Sequence, residues 1–172
     1  MNRGYHEIKE HGKREFPFNI YPCSIPVDFS HVALHWHEEM EIIAVKKGKG
    51  RITVDTVSYP VEEGDILAVF PGQLHAISCG NGERMEYENI IFRLSMLMGD
   101  NGDGCTVHFL KPLQEGQAKN PVLIQRNQPD HEVFGKVIQE LDRFSEIRGN
   151  GYQLAVKGQL FLFLYYAYGR GI

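Results

Sequence analysis

Between residues 15 and 94 the chain is a succession of short apolar runs broken by turn signals, and this pattern limits the fold more than anything else in it. The runs occupy residues 16–21, 32–37, 41–47, 51–55, 66–70, 74–78 and 86–94. Gly48-Lys49-Gly50, Asp55-Thr56, Glu62-Glu63-Gly64-Asp65, Pro71-Gly72 and Gly80-Asn81-Gly82 separate them. Many short strands at this spacing indicate an antiparallel sandwich or small barrel, a mainly β fold. Residues 107–110 read as one further strand, which puts the barrel at 15–110, and residues 111–129 as a connecting segment. Residues 1–14 are polar and aperiodic and read as a flexible arm.

The period then changes. Pro129-Asp130 opens a helix with Asp130 as its N-cap. Val133, Phe134, Val137, Ile138, Leu141, Phe144 and Ile147 follow at helical spacing. Glu132 and Lys136 form an i,i+4 ion pair on the wet side. Gly149-Asn150-Gly151 ends that helix, and a second, at 152–168, is apolar nearly all round. Such a helix needs cover on more than one face. The barrel and the first helix supply one cover. A second subunit is the expected other, making residues 130–172 a helical dimerisation unit with Leu160, Phe161, Leu164 and Tyr168 at the contact. The chain stops four residues after Tyr168, an ending that suggests a further domain beyond it.

Net charge is −4, with the signs mixed along the chain. There is no basic stripe for nucleic acid, so any DNA reading is expected from a part not in this chain. Cys23, Cys79 and Cys105 are scattered and odd in number, which suits a reducing, cytoplasmic setting. No apolar h-region opens the chain, and the apolar run at 160–168 is too short to span a bilayer, so no membrane partner is expected.

Within the strand-rich part, His35-Trp36-His37-Glu38-Glu39-Met40-Glu41 and Pro71-Gly72-Gln73-Leu74-His75 carry the chemistry. Three imidazoles and a carboxylate, His35, His37, Glu41 and His75, are a suitable set for one divalent ion, with zinc, nickel, iron and manganese all compatible. Strand alternation puts His35 and His37 on one face and Trp36 on the other. Along a straight strand Glu41 would lie about 13 Å from His37. A tight turn at 38–40, closing a hairpin, is needed to fold it back. The alternative is that the four residues line a lumen and bind an organic ligand directly. Cys79 shares the parity of His75 and Ile77. It reads as a small buried core residue, with a place at the pocket edge as the other option.

These residues resemble the cupin family. Its first motif, H-x-H, three residues, E, six residues, G, is matched by His35, His37, Glu41 and Gly48. Its second is matched by Gly64, Gly72 and His75, with Pro71 adjacent to Gly72 and Cys79 in the usual place of Asn. The resemblance implies a cupin β-barrel (double-stranded β-helix, jelly-roll-like) with the three histidines and Glu41 as metal ligands. Adding Phe16-Pro17-Phe18 and the stretch from Val57 to Leu67, the chain from about residue 12 to 95 is similar to the N-terminal sensor domain of AraC-type transcription regulators. The likeness continues more loosely through the helices. It implies a small-molecule effector (a sugar among the candidates), a homodimer through the C-terminal helices, and a helix-turn-helix DNA-binding domain that follows. His6, His11 and Phe16 lie where the family's arm can approach the effector. The expected ligand-lining residues are His35, His37, Glu41 and His75, joined on strand parity by Ile43, Val45, Tyr87 and Asn89. On this reading the chain senses and does not catalyse. The alternatives are a stand-alone metal-dependent cupin enzyme, of dioxygenase or isomerase type, and a cupin that only binds a sugar or small acid. The all-round apolar helix favours the regulator, since a small cupin enzyme has no need of it.

Overall fold

The computed structural model describes residues 3–100 and 102–172. Its strands are β1 Phe18–Ile25, β2 Val32–His35, β3 Met40–Val54, β4 Val57–Glu62, β5 Ile66–Val69, β6 His75–Ser78, β7 Met85–Phe92 and β8 Val122–Ile124. All pairings among them are antiparallel. One layer runs β1-β7-β3-β5-β8, and the second half of β3 turns away to pair with β4 and β6, with β2 beyond β6. The fold is therefore mainly β, as expected, followed by the helices α2 His131–Ile147 and α3 Tyr152–Tyr168. The short α1 Lys111–Gln114 precedes β8.

The first half of β3 is the hub because both of its faces are buried. Met40, Ile42 and Ala44 point to the helices, where they pack with Phe134, Val137, Leu160 and Phe163. Ile43 and Val45 point the other way, into the lumen between the layers, with Ile52, Leu67, Ile77 and Tyr87. β1 and β7 split in the same way: Phe18, Ile90 and Phe92 face the helices, whereas Ile25, Met85 and Tyr87 face the lumen. Burying each large apolar side chain stabilises by about 1.5–3 kcal/mol, so the double-sided strand anchors two cores at once.

Several sequence expectations need correction. Residues 41–47 and 51–55 are one continuous strand, since Gly48-Lys49-Gly50 bends β3 between layers instead of breaking it. The register shift between Val45 and Lys47 lies beside that bend. Gly48 has φ +77°, and a Cβ there would meet the Arg84 carbonyl oxygen. Gly48→Ala is expected to destabilise by more than about 1 kcal/mol, read as a lower denaturation midpoint at unchanged slope. β4 is not among the expected runs; it is an edge strand paired only with β3, where Pro60 is tolerated. Residues 107–110 are not a strand. They lie in a helical turn, Thr106–Leu110, whose start is fixed by the Asp103 carboxylate accepting from the Thr106 N–H and hydroxyl, both at 2.7 Å. The segment 111–129, expected only to connect, returns β8 to the edge of β5, so the barrel does not end at 110.

The two long helices fall where the periodicity puts them. The Glu132–Lys136 pair forms, at 2.6 Å. Asp130 precedes α2 but makes no side-chain capping bond. Its carboxylate instead accepts from Arg170 at 2.6 and 2.8 Å, while the same guanidinium donates to the Leu123 carbonyl and to Gln128. Arg170 thus ties the end of α3 to β8 and to the start of α2. Leu160 and Leu164, expected at a subunit contact, are buried inside this chain against the barrel and α2. Tyr168 donates its hydroxyl to the Phe109 carbonyl at 2.7 Å. Of the four residues named for the contact, Phe161 is exposed, and it shares the outer surface of α3 with Leu154, Leu162 and Tyr165.

Candidate metal and ligand centre

His35, His37, Glu41 and His75 converge at one end of the lumen. Each offers one ligand atom, and the four atoms lie within 4.8 Å of one another. Three local devices bring this about. β2 ends at His35 and β3 starts at Met40, so the chain crosses from one layer to the other over residues 36–39. This crossover, not the expected hairpin, folds Glu41 back to His37; β2 pairs with β6 and not with β3. His75 opens β6 directly beside His35 in the ladder. The turn before it is held by Gly72, at φ +82°, whose N–H donates to the His37 carbonyl at 2.9 Å.

The three imidazoles are oriented alike. Nδ1 of His35 lies 2.9 Å from the Ala33 carbonyl, that of His37 3.1 Å from the Glu39 carbonyl, and that of His75 3.0 Å from the Gln73 carbonyl. A carbonyl only accepts, so each Nδ1 carries the proton and Nε2 is turned inward. Nε2 of His37 and of His75 lie 3.0 and 3.1 Å from the same oxygen, Glu41 Oε2. Backbone anchoring of the far ring nitrogen is how ligating histidines are held. Donors about 2.1 Å from one ion stand about 3.0–4.2 Å apart. The donor types and ring orientations therefore suit a divalent ion held through three Nε2 atoms and Glu41, with the widest separation, up to 4.8 Å, closing by about half an ångström or more on binding.

His37, Glu41 and His75 are 3%, 2% and 0% exposed, and His35 is half-buried. Burial pushes the Glu41 carboxyl up, but hydrogen bonds from His37 and His75 and their charges outweigh it and hold the group well below the usual carboxylate range. Burial lowers His75, and the hydrogen bond and charge of Glu41 more than reverse this, leaving it raised. His35 is lowered, first by burial and then by the charge of His75. Its Nε2 lone pair is thereby available near neutrality.

The residues expected from strand parity also reach the lumen. Ile43, Val45 and Tyr87 are buried there. Asn89 sits opposite Ile43 on one side and Tyr21 on the other. The Tyr87 hydroxyl and Asn89 Oδ1 are buried without a hydrogen-bond partner among the described residues. Burial, then the charge of Cys23 and of Glu41, raises the Tyr87 hydroxyl. Cys23 is pushed up to about 11, by burial first and by Glu41 second. Cys79 packs half-buried against the lumen cluster.

Sequence reasoning missed Cys23, Tyr21 and the Glu39–Arg93 ion pair at 2.8 Å, which buttresses the crossover from outside. Parity on β1 would have found the first two once that strand was extended past residue 21. It also read residues 1–14 as a free arm. Residues 1 and 2 lie outside the described part, but the rest docks on the crossover. The Trp36 N–H donates to the Tyr5 carbonyl at 2.9 Å, the Glu7 N–H donates to the Trp36 carbonyl at 3.0 Å, and His6 stacks on the Trp36 ring at 4.2 Å. His11 is buried and tilts toward His37 at 6.0 Å between ring centres.

Comparison with known proteins gives the following likenesses. The Bacillus subtilis (strain 168) protein described as an uncharacterized HTH-type transcriptional regulator, YdeC, is 27% identical over 88 residues, 51% of this chain and 30% of that protein. The chain thus spans less than a third of that regulator's length. Among solved structures, a cupin protein from Bacteroides fragilis is 25% identical, covers 49% of this chain and 69% of its own, and has a TM-score of 0.37. A Cupin 2 conserved barrel domain protein from Salinispora arenicola CNS-205 is 21% identical, covers 52% and 74%, and has a TM-score of 0.42. No helix among the described residues is long and apolar enough to cross a membrane. The match that decides the matter runs over residues 26–164, from before β2 to near the end of α3: the chain belongs to the AraC-like ligand binding domain family.

Proposed function

We propose that this chain is the effector-sensing and dimerisation part of an AraC-type transcription regulator, with DNA read by a helix-turn-helix unit outside residues 1–172. The observation that carries the reading is the inward convergence of three Nε2 atoms and Glu41 on one point of the lumen, in a chain of this family. A zinc, nickel, iron or manganese ion held there supplies Lewis-acid attraction for an oxygen or nitrogen of the effector. The protein's own groups supply the rest. Asn89 Oδ1 accepts from an effector hydroxyl, the Tyr87 hydroxyl donates to an effector oxygen, and Ile43 and Val45 form the apolar wall. That mixture suits a small polyhydroxylated or hydroxy-acid molecule, sugars included.

Transmission follows from β3. Glu41, Ile43 and Val45 meet the ligand, while Met40, Ile42 and Ala44 between them meet α2 and α3. A shift of the strand on ligation changes the seat of the helices and so the subunit arrangement. The dimer contact is the outer surface of α3, with Leu154, Phe161, Leu162 and Tyr165 exposed on it.

A thermal-shift screen of sugars and small hydroxy acids, with and without zinc, tests the reading. A true effector at a hundred times its Kd stabilises by about 2.7 kcal/mol, and Asn89→Leu removes that shift. Chemical turnover of a stabilising compound by the metal-loaded protein would favour a metal-dependent cupin enzyme instead.

A further inference from the structure

The N-terminal segment sets a second carboxylate against the histidine cluster. Glu7 Oε2 lies 3.7 Å from His35 Nε2, the inward ring nitrogen whose partner Nδ1 is committed to the Ala33 carbonyl. That separation is too long for a hydrogen bond and, for the His35 pair, falls inside the about 3.0–4.2 Å spacing of two donors on one ion. Glu7 stands outside the four atoms that lie within 4.8 Å of one another, so it has to close on the other three donors when the ion binds. The same oxygen is 3.8 Å from His11 Nε2. His11 has its other nitrogen 3.2 Å from the Tyr21 hydroxyl, and its Nε2 is buried with no hydrogen-bond partner among the described residues. A 3% exposed imidazole side chain is thus held with an unmet polar atom toward a carboxylate that is itself about one-third exposed.

The backbone fixes this placement. Tyr5 and Glu7 hydrogen-bond to either side of Trp36, the residue between His35 and His37. Glu7 is therefore registered to the ligand pair by main-chain bonds, not by a long free side chain.

We propose that Glu7 is a fifth protein donor to the divalent ion, with His11 orienting its carboxylate. The proposal rests on the reading of His35, His37, Glu41 and His75 as a metal centre. It makes the donor set three nitrogens and two carboxylates, which suits ions that take five or six ligands and places the N-terminal segment in the ion's coordination.

Calorimetric titration of the full chain with zinc, and the visible spectrum of its cobalt(II) form, test it. Glu7→Gln is expected to weaken zinc binding at least about 10-fold and to alter the cobalt bands, whereas Glu10→Gln, an exposed carboxylate three residues on, leaves both unchanged. Emission from Trp36, the single tryptophan, is expected to change on zinc addition in the wild type and to respond less in Glu7→Gln. Equal affinity and an identical cobalt spectrum in Glu7→Gln would overturn the role of Glu7 while leaving the four-residue centre standing. No zinc or cobalt binding by the wild type would overturn both.

Discussion

Glu41→Ala is expected to abolish tight zinc binding and, in the metal-free protein, to flatten the pH dependence of stability. One oxygen of Glu41 meets both His37 and His75 in a site closed to water. Removing one partner of a buried ion pair costs about 3 kcal/mol or more. The pH window of this ion pair follows from the shifts of Glu41 and His75. Glu41 is held below its ordinary value of 4.5, so its contribution is present above pH 4.5 and is lost as pH falls through the lowered folded value. His75 is raised above 6.5, so its contribution is complete below pH 6.5 and is lost as pH rises through the raised folded value. The Glu41–His75 pair should therefore contribute most between pH 4.5 and 6.5 and less on both sides, while His35, lowered from 6.5, acts in the opposite sense, its contribution being lost as pH falls through its lowered folded value. Zinc, which competes with protons for the same nitrogens, should move the optimum upward. Urea denaturation in chelator across pH checks this. An unchanged pH profile in Glu41→Ala would contradict it.

The second large effect separates the two surfaces of α3. Leu160→Lys places a charge where the side chain is fully buried among Phe134, Val156 and Phe163. Truncating such a leucine already costs about 2–5 kcal/mol, and an unpaired buried charge adds to that. The variant is expected to be largely unfolded or insoluble. Tyr165→Lys changes a residue that is 71% exposed. It is expected to keep the melting temperature of the monomer fold and to lower the molar mass seen by light scattering toward that of a single chain. A folded Leu160→Lys protein would contradict the packing, and an undiminished dimer mass in a Tyr165→Lys, Phe161→Lys variant would contradict the proposed contact.

The contrast between those two leucine and tyrosine positions shows where the sequence could be read. The bounds of α2 and α3 were legible because apolar spacing and glycine stops act within the segment. Which side of α3 meets the barrel was not, because a helix apolar on all faces carries no stripe to orient it. The parity of β3 gave Glu41, Ile43 and Val45 their common face, and the two motifs gave the four donors. The continuity of β3 across Gly48 was hidden, since a glycine that ends a strand and one that bends it look alike in a sequence. β8 was hidden because three residues owe their strand state to the open edge of β5. The docking of Glu7 and His11 was hidden for a related reason: their partners, Trp36, His35 and Tyr21, are met only after the barrel has formed.

The account stands on the claim that Nε2 of His35, His37 and His75 is the binding face of the lumen. Histidine ring-nitrogen NMR with zinc addition addresses that claim most directly. In the metal-free protein the three rings should show a protonated Nδ1 bonded to carbonyl oxygen, and zinc should move their Nε2 resonances while those of exposed His31 and His108 stay in place. Unmoved Nε2 resonances at saturating zinc, or a response at Nδ1 instead, would contradict it.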